Sequence, residues 1–203
     1  MEKKRQKQYK QKITLSQLYF GLVYGIRSFI LLGFSKRKKL ISNEFIERLM
    51  LAVTEVNGCE VCSYAHTKMA LQGGFTTQEI NAFLSGDPAY IKPEESVGIL
   101  FAQHYTDYKG YPLPSTVATL QKTYGKQKAR IILAAIQTIT LGNVIGIPIS
   151  AFISRCKHHP YQNSSLSYEL GMMILGFMFF SPALIHTFIS TCLRRPPLHL
   201  SKE

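Results

Sequence analysis

Hydrophobic positions recur at helical intervals along most of the chain. In residues 42–56 the apolar side chains stand three or four positions apart, at Ile46, Leu49, Met50, Val53 and Val56. That spacing places them on one face of an amphipathic helix. The sequence has no alternating apolar and polar run of useful strand length, so the pattern predicts an all-α protein.

Capping and helix-breaking residues divide the middle of the chain into short helices. Asn57-Gly58 should end the first one, because glycine readily adopts the left-handed conformation of a helix C-cap. A second helix is predicted from about residue 59 to about residue 72. Thr76 and Glu79 form a capping box that begins a third helix, and Gly86-Asp87-Pro88 should stop it.

Longer helices are predicted in the second half of the chain. Pro93 and Pro114 mark helix starts, and Gly125 should interrupt the helix that begins at Pro114. Residues 126–154 are apolar and helical in character. We expect them to be kinked or divided at residues that suit a helix interior poorly, namely Gly142, Gly146 and Pro148.

One apolar stretch, residues 13–34, follows a polar and basic start at residues 1–12 that we expect to be disordered. Three interpretations of the stretch compete: a helix packed on the domain or on a partner subunit, a helix lying in a membrane interface, and a marginal spanning helix. Gly21, Gly25 and Arg27 interrupt it. They favour helix packing first and membrane association second.

A second apolar stretch, residues 170–193, contains no Asp, Glu, Lys or Arg. It is long enough to span a bilayer. A buried core helix is equally consistent with the sequence, because Pro182 and His186 are awkward in lipid.

Basic charge is concentrated at the start of the chain. The formal net charge is +12, and residues 1–39 hold eleven Lys/Arg and one acid, so +10 belongs to them and +2 to the rest. Such a segment can bind nucleic acid or an anionic membrane surface. Because no aromatic residue precedes Tyr9, we expect no specific nucleic-acid partner. A membrane-surface contact stays an expectation.

The four cysteines are too few for a secreted disulfide scaffold, and no cleavable signal peptide is evident. A reducing cytoplasm is therefore the expected location, with membrane association as an addition to it. In that setting a closely spaced pair is catalytic or metal-binding more often than structural. Cys59 and Cys62 form such a pair, whereas Cys156 and Cys192 are isolated and expected to be inert.

Cys59 and Cys62 fall at a predicted helix start, where unpaired N–H groups and the helix dipole stabilise a thiolate. His66 follows Cys62 by four residues, so it lies on the same helix face and can accept the thiol proton. Glu47, on the preceding helix, would reach the same pocket if the two helices fold back on each other. Spacing alone does not establish that contact.

Two interpretations compete with a thiol redox site. The first is a zinc-binding module, because Cys-x2-Cys-x3-His also fits half of a zinc site, with Glu47, His158 or His159 as a further ligand. The second is a non-enzymatic membrane-associated or partner-binding protein that retains a relict CxxC. The motif is not completed by a second CxxC or a paired His motif at standard spacing, so we expect no bound metal and no cofactor.

The pattern from Glu47 to His66 resembles one in a known family. Eleven residues separate Glu47 from Cys59, the CxxC follows, and three residues separate Cys62 from His66. This pattern, with the Gly73-Gly74-Phe75-Thr76 turn, resembles the carboxymuconolactone decarboxylase family, in the branch typified by alkylhydroperoxidase D. The resemblance extends over roughly residues 40–155.

The resemblance implies an all-helical bundle that assembles into trimers, dimers of trimers or another homo-oligomer. It also implies thiol-dependent reduction of hydroperoxides. Cys62 would attack the peroxide, Cys59 would resolve the sulfenic acid as a disulfide, and Glu47 and His66 would relay protons. A dithiol, such as a lipoylated protein, would restore the thiols. The sequence departs from the prototype at Val61, where the prototype has a second histidine; this bears on the details of the relay.

The sequence therefore predicts an all-α, alkylhydroperoxidase D-like helical bundle with a CxxC at a helix N-terminus. We divide it into a basic extension with an apolar helix (1–39), the alkylhydroperoxidase D-like core (40–155) and a C-terminal apolar helix with its tail (156–203). The predicted function is an antioxidant peroxidase or disulfide reductase. Lactone decarboxylation is not predicted, because the decarboxylase branch generally lacks this cysteine pair.

Overall fold

Helices account for the regular structure of the chain. The computed structural model describes residues 8–36, 40–84 and 91–197, and these ranges contain no β-strand. A short 3₁₀ turn, Pro93–Glu95, precedes the fifth α-helix. The predicted all-α class is confirmed. The α-helices are α1 (Leu15–Lys36), α2 (Asn43–Asn57), α3 (Glu60–Gln72), α4 (Thr77–Leu84), α5 (Ser96–Asp107), α6 (Pro114–Cys156) and α7 (Leu166–Cys192).

The predicted helix ends around α2 are confirmed. The Ser42 hydroxyl caps α2 by accepting from the Phe45 N–H at 3.1 Å, and Gly58 ends the helix with φ of 69°. The capping box that begins α4 is also present, since the Glu79 carboxylate accepts from Thr76 N–H and the Thr76 hydroxyl accepts from Glu79 N–H. The predicted stop at residues 86–88 lies outside the described residues.

Helix α6 is the centre of the fold, because α1, α2, α3, α5 and α7 all pack against it. The predicted interruption at Gly125 is confirmed by its non-helical φ of 73° and ψ of 158°. The predicted division of the helix at Gly142, Gly146 or Pro148 is wrong, since the backbone dihedral angles stay helical through all three, whereas a kink there stays a prediction. Packing on several sides keeps Pro148 inside the helix, where propensity alone disfavours it.

Helix α1 packs antiparallel to α6, and two of its glycines lie at the contact. Gly21 lies against Val144 and Gly25 against Leu141, where an added Cβ would come within 2.3 Å of the leucine Cβ. Further along α1, the Ser28 hydroxyl donates to Gln137 Oε1 at 2.6 Å. The glycines that interrupt the apolar stretch therefore give the backbones room to approach, as the packed-helix interpretation expects.

Helix α7 runs parallel to α1. The Tyr168 hydroxyl donates to the Ile13 carbonyl at 2.8 Å, and the Thr187 hydroxyl donates to the Val23 carbonyl at 2.9 Å. Just beyond the end of α7, the Arg195 carbonyl accepts from the Arg27 guanidinium in the second half of α1 at 2.9 Å. The C-terminal ends of α1 and α7 consequently lie at the same end of the molecule. By length and composition, α1, α6 and α7 could each cross a membrane.

The start of the chain is more ordered than its polarity predicts. Tyr9 is buried, its ring meets Tyr161 and Tyr168 edge-on, and its hydroxyl bonds to Ser164 at 2.9 Å. Lys10 pairs with Glu55. The prediction of disorder is therefore wrong for residues 8–12, because a single aromatic anchor outweighs the basic composition; residues 1–7 lie outside the described part of the chain.

Candidate active site

Cys59 and Cys62 are joined as a disulfide at the start of α3, with their Cα atoms 5.3 Å apart. Cys59 is the N-cap residue, and its sulfur accepts from the Cys62 N–H at 3.3 Å. Cys59 is 1% exposed and Cys62 is 8% exposed, so solvent reaches the second sulfur more easily. In the reduced state the N–H groups of this first turn would favour a thiolate.

Helix α6 packs against the cysteine pair. Gly146 on this helix contacts both sulfurs, and a Cβ added there would be 2.7 Å from each of them. One turn further on, the Ser150 hydroxyl donates to the Gly146 carbonyl at 2.8 Å and accepts from the Val61 N–H at 3.2 Å. Sequence reasoning missed both residues, because a glycine in a helix suggested a kink and a serine in an apolar run carried no signal.

The structure brings Glu47 and His66 together, although spacing alone could not place Glu47. The His66 Nδ1 and Glu47 Oε2 atoms are 3.0 Å apart, and both side chains are mostly buried. Helices α2 and α3 fold back on each other at Asn57-Gly58, which accounts for the contact. In the tautomer that donates from Nδ1 to the carboxylate, Nε2 keeps a lone pair that can accept a proton.

A buried amide lies one helical turn before Gly146. The Asn143 side chain is fully buried, its Oδ1 accepts from the Thr54 hydroxyl at 3.4 Å, and its Nδ2 has no hydrogen-bond partner among the described residues. Thr54 lies on α2, five residues before Cys59 in the sequence. Its contact with Asn143 therefore joins α2 to α6 next to the cysteine pair. Sequence reasoning missed Asn143 as well.

Tyr161 closes the site at the start of α3. Its side chain is buried and hydrogen bonds to Glu60, the first residue of α3. Burial, and then the nearby Glu60 carboxylate, raise the pKa of Tyr161 above its ordinary value. The tyrosine therefore stays a neutral hydroxyl throughout the physiological range. It comes from the loop between α6 and α7, outside the segment in which the motif lies.

The other candidate ligands do not join the cysteine pair. Cys156 and Cys192 are free and exposed. Among the residues that the structure describes, no group of three or more His, Cys, Asp or Glu side chains could hold a metal ion. The zinc interpretation, with Glu47, His158 or His159 as a further ligand, therefore finds no support, since Glu47 pairs with His66.

Comparison with known proteins places the motif within a described family. Residues 31–100 match the family model of the carboxymuconolactone decarboxylase family. The matched range runs from the end of α1 into α5 and contains Glu47, Cys59, Cys62 and His66. The resemblance predicted over residues 40–155 is thus confirmed up to residue 100. No curated protein matches the chain.

Proposed function

We propose that the protein is a thiol peroxidase that reduces hydroperoxides through Cys59 and Cys62, two residues within the range 31–100 that matches the carboxymuconolactone decarboxylase family model. One observation carries the proposal: the two sulfurs are bonded at a helix N-terminus, and a buried Glu47–His66 pair stands on the two helices that meet there. The family also contains decarboxylases. The bonded cysteine pair favours redox chemistry, because two thiols that can form a disulfide can donate two electrons.

The proposed cycle begins with both cysteines reduced. The Cys62 thiolate attacks the distal oxygen of the hydroperoxide, and the O–O bond breaks. The alkoxide leaves as an alcohol after taking a proton, and Cys62 becomes a sulfenic acid. The Cys59 thiolate then attacks the Cys62 sulfur, so the disulfide forms and hydroxide leaves as water. A dithiol reductant, itself oxidised to a disulfide, restores both thiols by exchange.

The Glu47–His66 pair supports proton transfer in this cycle. His66 can take the proton of the Cys62 thiol as general base and later deliver it to the leaving oxygen. Glu47 orients the imidazole through its contact with Nδ1. Val61 occupies the place of the prototype's second histidine. We therefore assign proton transfer in the cycle to a single histidine, His66.

The order of attack rests on the family pattern and on exposure. Cys62 is the more exposed of the two buried sulfurs, as an attacking thiol must be. Cys59 is more deeply buried and within bonding distance of Cys62, so it can resolve the sulfenic acid. The Cys62 N–H donates a hydrogen bond to the Cys59 sulfur, so Cys59 is also a candidate for the attacking thiol and both single variants have to be tested.

A thiol titration with the pre-reduced protein tests the assignment. Cys62→Ser should lose peroxide turnover entirely. Cys59→Ser should consume one equivalent of peroxide, form a sulfenic acid that dimedone traps, and then stop. Cys156→Ser is the matched control, because it removes an exposed thiol outside the site, and it should turn over like the parent. Peroxide consumption by Cys62→Ser at the parental rate would refute the proposed order of attack, and unchanged turnover in both single variants would refute the peroxidase assignment.

A further inference from the structure

A wide cavity of about 1040 Å³ opens near the C-terminal end of α7, between that end, the first half of α6 and Arg27 of α1. Its lining includes five cationic residues from three segments of the chain, and no Asp or Glu lines it. The five are Arg27, Lys126, Arg130, Arg194 and Arg195. We call this set the basic cavity. It lies outside the candidate active site, since none of the site's residues lines it.

The cations of the basic cavity are not neutralised by the described part of the chain. Within that part, the ion pairs are Lys10–Glu55, Arg48–Glu95, His66–Glu47 and Arg155–Glu169, and none includes a residue of the cavity. Arg27 bonds only to a backbone carbonyl. Burial, and then the nearby charge of Arg130, lower the pKa of Arg27. A bound anion would relieve this like-charge repulsion.

The remainder of the cavity is largely apolar, which narrows the class of anion. Aliphatic and aromatic groups stand beside the guanidinium groups, so an inorganic ion would leave much of the surface uncovered. A ligand with an anionic head and a hydrocarbon portion matches both parts. The apolar residues of the lining include Phe101, Val117, Leu120, Leu133, Pro196 and Pro197.

An exposed apolar surface runs along α7 towards the basic cavity. Only 17% of the most apolar stretch of α7 is buried in the protein, against 72% for α6. On α7, Phe177 is 85% exposed and Phe188 is 70% exposed, and on α1 Phe29 and Phe34 are each 65% exposed. We call this surface the α1–α7 face. Exposure of several large apolar side chains on two helices that pack together marks an interaction surface.

Charge complementarity selects the occupant of the α1–α7 face. Because α1 and α7 run parallel, Arg27 in the second half of α1 lies beside Arg194 and Arg195 at the end of α7. Apolar side chains bordered by cations match the boundary between hydrocarbon and headgroup phosphates in a bilayer. A second copy packed on this face would offer these cations no carboxylate, because α1 contains no Asp or Glu and the one acidic residue of α7, Glu169, is buried.

We propose that the protein docks one-sidedly on an anionic bilayer, with the α1–α7 face against the acyl chains and the basic cavity on lipid headgroup phosphates. The contact is one-sided because α6 is enclosed by protein, with α2, α3 and α5 also packed against it. Exposed polar side chains on α3 and α4, such as Lys68, Gln72 and Glu79, stay in water. This inference does not depend on the redox chemistry.

Vesicle co-sedimentation of the full chain tests the headgroup contact. We expect binding to phosphatidylcholine vesicles that contain phosphatidylglycerol, and about tenfold weaker binding after Arg130→Gln with Arg194→Gln, since each cation contributes roughly a few-fold near an anionic surface. The matched control, Lys68→Gln with Lys92→Gln, removes the same charge from exposed sites outside the cavity and should bind like the parent. Equal losses in both variants would overturn the assignment of the cavity.

Substitution on α7 tests the apolar contact. Phe177→Gln with Phe188→Gln should abolish sedimentation with vesicles, whereas Leu100→Gln, which removes a 63% exposed apolar residue from α5, should not. Because these side chains are exposed, we expect the variants to fold like the parent. Circular dichroism of their helix content checks this. If the phenylalanine variant binds vesicles like the parent but changes from oligomer to monomer in light scattering, the α1–α7 face is an interface between copies and the proposal fails.

Discussion

At the scale of single residues, the site depends on a position with no side chain. Gly146 allows α6 to approach both sulfurs of the cysteine pair, and Ser150 ties the first turn of α3 to the same helix. The motif residues carry the proposed chemistry, whereas Gly146 leaves the space in which the disulfide can form. A glycine in a helix normally costs stability relative to alanine, so its presence here is explained by the close contact.

Gly146→Ala tests this role against a control on the same helix. The new Cβ would meet both sulfurs, and we expect a loss of about 1–3 kcal/mol from overpacking together with slower disulfide formation in the reduced protein. Gly142→Ala, one turn earlier, meets nothing closer than 3.9 Å and should stabilise the protein by about 0.5–1 kcal/mol. Urea unfolding and thiol oxidation rates measure both effects. Similar behaviour of the two variants would contradict the assigned role.

At the scale of helices, a buried ion pair joins α2 to the start of α5. Arg48 contacts Glu95 through two hydrogen bonds of 2.5 and 2.7 Å, and both side chains are nearly excluded from solvent. The Arg48 guanidinium also lies over the Phe75 ring at 5.2 Å. This arginine follows Glu47 directly, so its pairing fixes the rotation of α2 and with it the direction of the Glu47 side chain.

Removing one partner of this pair should be costly, because the other is left buried and charged. Arg48→Met is expected to lower the free energy of unfolding by about 3–5 kcal/mol. The double variant Arg48→Met with Glu95→Leu should recover much of that loss, because no unpaired charge stays buried. Chemical denaturation measures the free energy of unfolding of the parent, both single variants and the double variant, which together form a double-mutant cycle. Additive losses would show that the two side chains do not interact.

At the scale of the whole molecule, a second ion pair closes the fold at the end opposite the basic cavity. Glu169 on α7 is fully buried, and each of its carboxylate oxygens accepts a hydrogen bond of 2.8 Å from the Arg155 guanidinium on α6. It also accepts from the Ser164 hydroxyl at 2.6 Å. Ser164 also bonds to Tyr9. The pair therefore joins α6, α7 and the start of the chain.

The pKa of Glu169 is held below its ordinary value of 4.5, first by the Arg155 hydrogen bonds and then by Ser164. Its stabilising contribution is therefore complete above pH 4.5 and is lost as the pH falls through the lower, folded value. Glu169→Gln should be less stable than the parent at neutral pH, and the difference should shrink on acidification. Urea unfolding across this pH range measures it.

The control for Glu169 is Glu94→Gln, which removes a carboxylate from an exposed position before α5. It should change the free energy of unfolding little at neutral pH, because an exposed carboxylate without a close partner contributes little. A difference between Glu169→Gln and the parent that stays constant down to strongly acidic pH would refute the linkage.

The sequence by itself determined the helical class, the helix ends at Gly58 and Thr76, and the cysteine pair on which the proposed chemistry rests. These follow from local physics, namely apolar spacing, the capping residues Thr76 and Gly58, and the position of the thiol pair at a helix start. Tertiary structure alone decided that Glu47 meets His66, that Gly146 supports the sulfurs and that Arg27 joins a cluster of cations. These contacts unite residues from separate helices, whose relative rotation depends on packing that no local pattern encodes.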